Sequence, residues 1–111
     1  MSTLTAQVQH QGNISVIQLA GYLSSEAASV VEEAFQQAGD AQKVLLVFQE
    51  KDFITSAGLA VVFDCVLPLQ DQGRQVRIVH PSKHFRRVFD IVGLSKDVEI
   101  FAAEEQAVAG W

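Results

Sequence analysis

Val44-Leu45-Leu46-Val47-Phe48, followed by Asp52-Phe53-Ile54-Thr55-Ser56-Ala57-Gly58-Leu59 and then Ala60-Val61-Val62-Phe63, is the stretch on which the reading of the chain turns. Its first part, an unbroken run of β-branched, aliphatic and aromatic residues, predicts a strand from Lys43 to Gln49 buried on both faces. A polar interruption follows, and beyond it the apolar residues Leu59, Val62, Phe63, Val66 and Leu69 recur at helical spacing. They predict a helix from about Ala57 to about Gln72. Val61 and Leu67 widen that stripe beyond the needs of one sheet face, a surplus available to a partner. Pro68 lacks the N–H that would bond back one turn, so a kink or an early helix end is expected there, with Gly73 closing the element. Thr55 and Ser56 stand at the join. A hydroxyl before a helix accepts from an amide that the first turn leaves unpaired. Ser56 is read as that capping hydroxyl, in a place where free amides and the helix dipole also favour a phosphate.

Working outward, Thr5–His10 alternates weakly and Ile14-Ser15-Val16-Ile17-Gln18-Leu19 alternates clearly. Gln11-Gly12-Asn13 between them carries turn chemistry, so a β-hairpin opens the domain. Gly21 breaks the pattern, and Ser24 or Ser25 with Glu26 sits where a helix cap and a first-turn acid belong. Ala27, Val30, Val31, Ala34 and Phe35 then form an apolar stripe opposite Glu32, Glu33, Gln36 and Gln37, an amphipathic helix ended by Gly39-Asp40. Downstream, Gln75–Val79 reads as a strand and Pro81-Ser82 as a helix entry. That helix would turn Phe85, Val88, Phe89 and Val92 inward and Lys83, Arg86 and Arg87 outward. Val98–Phe101 reads as a short strand and Ala103–Ala109 as a last helix. The order β-β-α-β-α-β-α-β-α predicts a single α/β domain over residues 1–111: a mixed sheet of about five strands with helices packed mainly on one face.

Size and composition narrow the function. A chain of 111 residues with 49% hydrophobic and 19% charged residues makes one folded domain with one core. The formal charge of −5 gives no electrostatic basis for nucleic-acid binding. Cys65 is the only cysteine and stands in an apolar run, where a buried, inert thiol is expected. The N-terminal residues carry no secretion signal and no apolar stretch reaches the length of a membrane span, so the expected compartment is the cytoplasm, without membrane insertion. His10, His80 and His84 lack metal-ligand spacing, Glu32-Glu33 and Glu104-Glu105 point apart on their helices, and no glycine-rich phosphate loop occurs. The expectation is a protein without catalytic residues, metal or cofactor.

Phe53-Ile54-Thr55-Ser56-Ala57-Gly58-Leu59 resembles the signature of STAS domains of the bacterial anti-sigma-factor antagonist type: an aromatic, an aliphatic, Asp or Thr, Ser, a small residue, Gly and Leu. The resemblance continues through Phe85-Arg86-Arg87-Val88-Phe89-Asp90-Ile91-Val92-Gly93-Leu94 and, more faintly, Leu19-Ala20-Gly21-Tyr22-Leu23. It implies a STAS fold and a regulatory binding module. Unphosphorylated, such a module sequesters an anti-sigma factor that is itself a serine/threonine kinase, and so frees a sigma factor for transcription. It further implies that Ser56 is the phosphorylated residue, with Thr55 as alternative acceptor, and that Ser24, Thr55, Ser56, Ala57, Gly58 and Leu59 make the partner surface. Thr55 and Ser24 stand where many members have Asp. The same resemblance carries a second reading, a soluble STAS subunit of a lipid-transport ABC assembly, and leaves a homodimer open.

Overall fold

The computed structural model describes residues 4–49, 53–79, 99–109 and 111. Its strands are β1 (Leu4–Gln11), β2 (Ile14–Leu23), β3 (Lys43–Val47), β4 (Phe53–Ile54), β5 (Gln75–Val79) and β6 (Glu99–Phe101), and its helices are α1 (Ala28–Gln37), α2 (Ser56–Asp71) and α3 (Glu104–Val108). The helix expected after Pro81-Ser82, with Phe85 to Gly93, lies outside the described residues.

The hairpin forms where turn chemistry places it. Gln11 pairs with Ile14 across Gly12-Asn13, and of the two only Gly12 has positive φ, at 66°. Glycine first in a two-residue loop is the II′ arrangement, whose twist matches the strands it joins. From there β2 pairs in parallel with β3, β3 with β5 and β5 with β6, giving the order β1-β2-β3-β5-β6 with β1 as an antiparallel edge. Two-residue β4 pairs with the far end of β2. This is the mixed sheet the element order implied.

Strand alternation divides the core into two layers. Ile17, Leu19, Val44, Leu46, Val76 and Ile78 point to one face, where Val31 and Ala34 of α1 and Leu59, Val62 and Val66 of α2 cover them. Val16, Leu45 and Val79 point to the other face, beneath Ala107 of α3 with Phe101 and Trp111 alongside. The two long helices thus share one face as expected, and the short terminal helix takes the other. Trp111 reaches its place through cations: the Arg77 guanidinium lies 4.7 Å from its ring centroid and 5.6 Å from that of Phe101, with Lys43 Nζ 5.9 Å from Trp111. Arg77 also donates to the Ala107 carbonyl at 2.8 Å, and the Trp111 indole N–H donates to the Gln75 side chain.

Two local expectations need correcting. Helix α2 does not end early at Pro68 but continues to Asp71. Proline at 68 removes the one N–H that would donate to the carbonyl one turn back, but the residues after it keep theirs, and the amides of Gln72, Gly73 and Arg74 close the last turn onto Pro68, Leu69 and Gln70. Strand β3 stops at Val47, two residues short of the expected end, although the Phe48 amide still donates to Val79 at 2.8 Å.

Candidate functional site

The site is built where the far end of β2 meets the start of α2. After β3 the chain returns beside β2, pairing Phe53 with Tyr22 and Ile54 with Leu23. The Thr55 amide then donates to the Leu23 carbonyl at 3.0 Å, and the Thr55 hydroxyl stands 3.4 Å from the same oxygen. That hydroxyl accepts from the Gly58 amide at 3.0 Å. Thr55, in extended conformation, is therefore the N-cap of α2, and Ser56 is the first helical residue. The expectation that Ser56 supplies the cap is corrected: capping geometry requires an extended backbone before the helix, and that conformation belongs to Thr55. The cap contributes about 1 kcal/mol.

Freed from capping, the Ser56 side chain is exposed, as is Ala57. Thr55, half-buried and bonded to β2, is much the less accessible hydroxyl. The first amides of a helix have no partner within it, so those of Ser56 and Ala57 remain beside an exposed oxygen at the positive end of a sixteen-residue helix. Ser24 caps the short 3₁₀ turn Ser25–Ala27, its hydroxyl accepting from the Glu26 amide at 3.3 Å. Two helical starts thus converge on one corner.

Gly58 explains how they come so close. A Cβ built on it would lie 2.4 Å from the Leu23 carbonyl oxygen and 2.8 Å from the Ser24 amide nitrogen, both backbone atoms. Glycine is required here by the approach of another segment. Leu59, fully buried, anchors the first turn into the core. Gly58 and Leu59 therefore shape the surface from beneath, while Ser56 and Ala57 present it and Ser24 flanks it. Sequence reasoning missed the part played by the Leu23 carbonyl, which holds the Thr55 backbone. The one available signal was the faint family resemblance of Leu19–Leu23, which carried no hint of the bond.

Along α2 from Ser56, one helical side carries exposed Ala60, half-buried Phe63 and Leu67, which is 45% exposed. Leu67 is one of the surplus apolar residues noted in the sequence. Cys65 lies half-buried on α2. Burial first, and then the carboxylates of Glu32 and Asp64, push its thiol above its ordinary range. Alkylation of the folded protein should consequently lag behind that of the urea-unfolded chain at mildly alkaline pH, the gap narrowing as pH rises. Because the folded state holds this proton more tightly, its stabilising contribution is complete below the unfolded thiol pKa and is lost as pH rises through the higher folded value. A time course of thiol labelling with and without urea checks this. Equal rates would contradict it.

Among the described residues no three or more His, Cys, Asp or Glu side chains are placed to hold a metal, and no helix is long and apolar enough to cross a membrane. A search of the curated proteins found no match. Solved structures share the fold. An anti-sigma factor antagonist from Mycobacterium paratuberculosis superposes with a TM-score of 0.84 at 19% identity, covering 97% of this chain and 93% of that one. The anti-sigma factor antagonist SpoIIAA in its unphosphorylated form gives 0.75 at 23% identity, covering 96% and 95%. The Bacillus cell fate determinant SpoIIAA in the phosphorylated form gives 0.62 at 21%, covering 96% and 98%. The STAS domain pattern itself matches residues 5–107, from the hairpin's first strand into α3, and on that match the chain belongs to the STAS domain family.

Proposed function

We propose that this protein is a cytoplasmic anti-sigma-factor antagonist, a non-enzymatic binding module that engages an anti-sigma serine/threonine kinase and is released by phosphorylation of Ser56. The observation that carries the reading is the division of labour between adjacent hydroxyls. Thr55 is consumed as the cap and by its tie to Leu23, leaving Ser56 exposed at the first helical position.

Phosphorylation adds about −1.5 to −2 charges at neutral pH. At this helix start the new charge meets free amides and the favourable end of the dipole, so the fold can accept it. A docked partner cannot accept it so easily. The side of α2 that begins at Ser56 continues through Ala60, Phe63 and Leu67, so a protein seated on that strip would have to desolvate the phosphate at its edge. The structural neighbours named as anti-sigma factor antagonists, one of them in a phosphorylated form, support the same role.

The test is incubation with the cognate kinase and ATP, followed by intact-mass measurement and peptide mapping. One phosphoryl group is expected on Ser56, none on Ser56→Ala, and none on Thr55 in either protein. Absence of incorporation with every candidate kinase of the source genome, or mapping to Thr55, would remove Ser56 as the switch.

A further inference from the structure

We infer that the protein self-associates through β1, two copies pairing their edge strands antiparallel about a two-fold axis so that one sheet runs through both. Strand β1 is eight residues long and has β2 on one side only, with no strand on the other among the described residues. Exposed edges of this kind template further pairing, and proteins that keep them free blunt them with charge, proline or a bulge. Here Leu4-Thr5-Ala6-Gln7-Val8-Gln9-His10-Gln11 contains no Lys, Arg, Asp, Glu or Pro, and its register with β2 runs one-to-one from Leu4↔Gly21 to Gln11↔Ile14 without a bulge.

The sequence of the edge favours a second copy as the occupant. In an isologous contact the residue on the axis meets itself and every other residue meets another of the same strand, so an edge carrying a net charge would be set against the same net charge. An edge without formal charge in a chain of net charge −5 avoids that repulsion. Antiparallel neighbours share a sheet face, so a two-fold axis passes through a residue opposite itself. With Gln7 on the axis, Thr5 faces Gln9 on the polar face, while Ala6 faces Val8 on the core face, each pair occurring twice. Leu4 faces His10 at either end; centring on Val8 would instead set Ala6 against His10 and leave one apolar pair, Val8 against itself, in place of two. Beside Ala6 a groove of ≈ 140 Å³ opens between β1 and α1, bounded by Val30 and Ala34 with Glu33 and Gln37. In the Gln7-centred register the second copy's Val8 falls next to that groove, and Ala6 and Val8 are each half-buried in the single chain. Pairing therefore completes the cover of apolar side chains that the isolated fold leaves half open.

The experiment is sedimentation velocity on the full chain across a wide concentration range, with circular dichroism as the check on folding. The expected result is a concentration-dependent shift from 12.1 kDa to twice that mass. Gln7 is exposed, so its substitution leaves the core intact. Gln7→Lys and Gln7→Glu should each raise the dissociation constant about tenfold or more, because they set like charges opposite each other at the axis. Mixing the two variants should restore the dimer. A monomer at all concentrations would overturn the proposal, as would an unchanged mass in Gln7→Lys or a mixture that fails to re-form. Dissociation by Leu67→Lys with both Gln7 variants still dimeric would also overturn it, placing the contact on α2.

Discussion

Gly58→Ala should destabilise the domain by roughly 2 kcal/mol and lower the melting temperature by about 8 °C. The sign is the informative part. Alanine inside a helix normally stabilises relative to glycine by about 0.5–1 kcal/mol, because the unfolded chain loses less freedom on folding. At Gly58 that gain is opposed by a Cβ 2.4 Å from the Leu23 carbonyl oxygen and 2.6 Å from its carbon. Neither obstacle is a flexible side-chain end, so the start of α2 must move away from β2. Movement there stretches the bonds from Thr55 to Leu23 and loosens the seat of fully buried Leu59. Ala60→Gly, at an exposed position on the same helix, serves as control, with a cost of about 1 kcal/mol and no displacement of the corner. Guanidinium titrations of the three proteins make the comparison. A Gly58→Ala variant as stable as the parent, or more so, would show that the two segments do not touch as described. Affinity for the proposed anti-sigma partner should fall in Gly58→Ala as well, since the surface carrying Ser56 rests on this contact.

The second large effect concerns binding with folding held constant. The Ser56-phosphorylated protein should bind the proposed anti-sigma partner about a hundredfold more weakly than the unmodified one, a loss near 3 kcal/mol, because desolvating the phosphate at a packed edge costs several kcal/mol. Ser56→Asp, with one charge and a shorter reach, should lose part of that affinity. Thermal stability should stay level or rise slightly in both, as an exposed anion in the first helical turn adds about 0.3–1 kcal/mol. Calorimetric titration beside thermal melts separates the two quantities. Equal affinity with and without the phosphate would defeat the switch, whereas a parallel collapse of stability would show that modification unfolds the corner instead of altering who can dock there.

Much of the fold was legible because it is written in short-range periodicity. The alternation Ile14 to Leu19 located β2, the run Val44 to Phe48 located β3, and the spacing of Val30, Val31, Ala34 and Phe35 located α1. Gly12-Asn13 marked the hairpin because a two-residue turn demands a residue able to take positive φ. The errors fell where a residue's conformation depends on a segment far along the chain. Thr55 and Ser56 are equally good caps by composition. What decides between them is that β4 aligns with Tyr22-Leu23 and presents the Thr55 backbone to the Leu23 carbonyl. Pro68 was read by its local effect alone, whereas the bonds that later residues make onto Pro68, Leu69 and Gln70 carry the helix on to Asp71.

The amino-acid order by itself determined the described strands other than β4, the two long helices, the hairpin, the place of the hydroxyl pair at the head of α2 and the family pattern that runs through it. Tertiary structure alone decided that Thr55 is spent in the fold and Ser56 left outside, that Gly58 is wedged against Leu23 and Ser24, and that Trp111 closes the second sheet face over Arg77. The reason is one of range. Side-chain period and capping chemistry act over a few residues and leave their mark locally, whereas the contacts that assign roles to neighbouring hydroxyls join positions more than thirty residues apart and exist only once the sheet has brought them together.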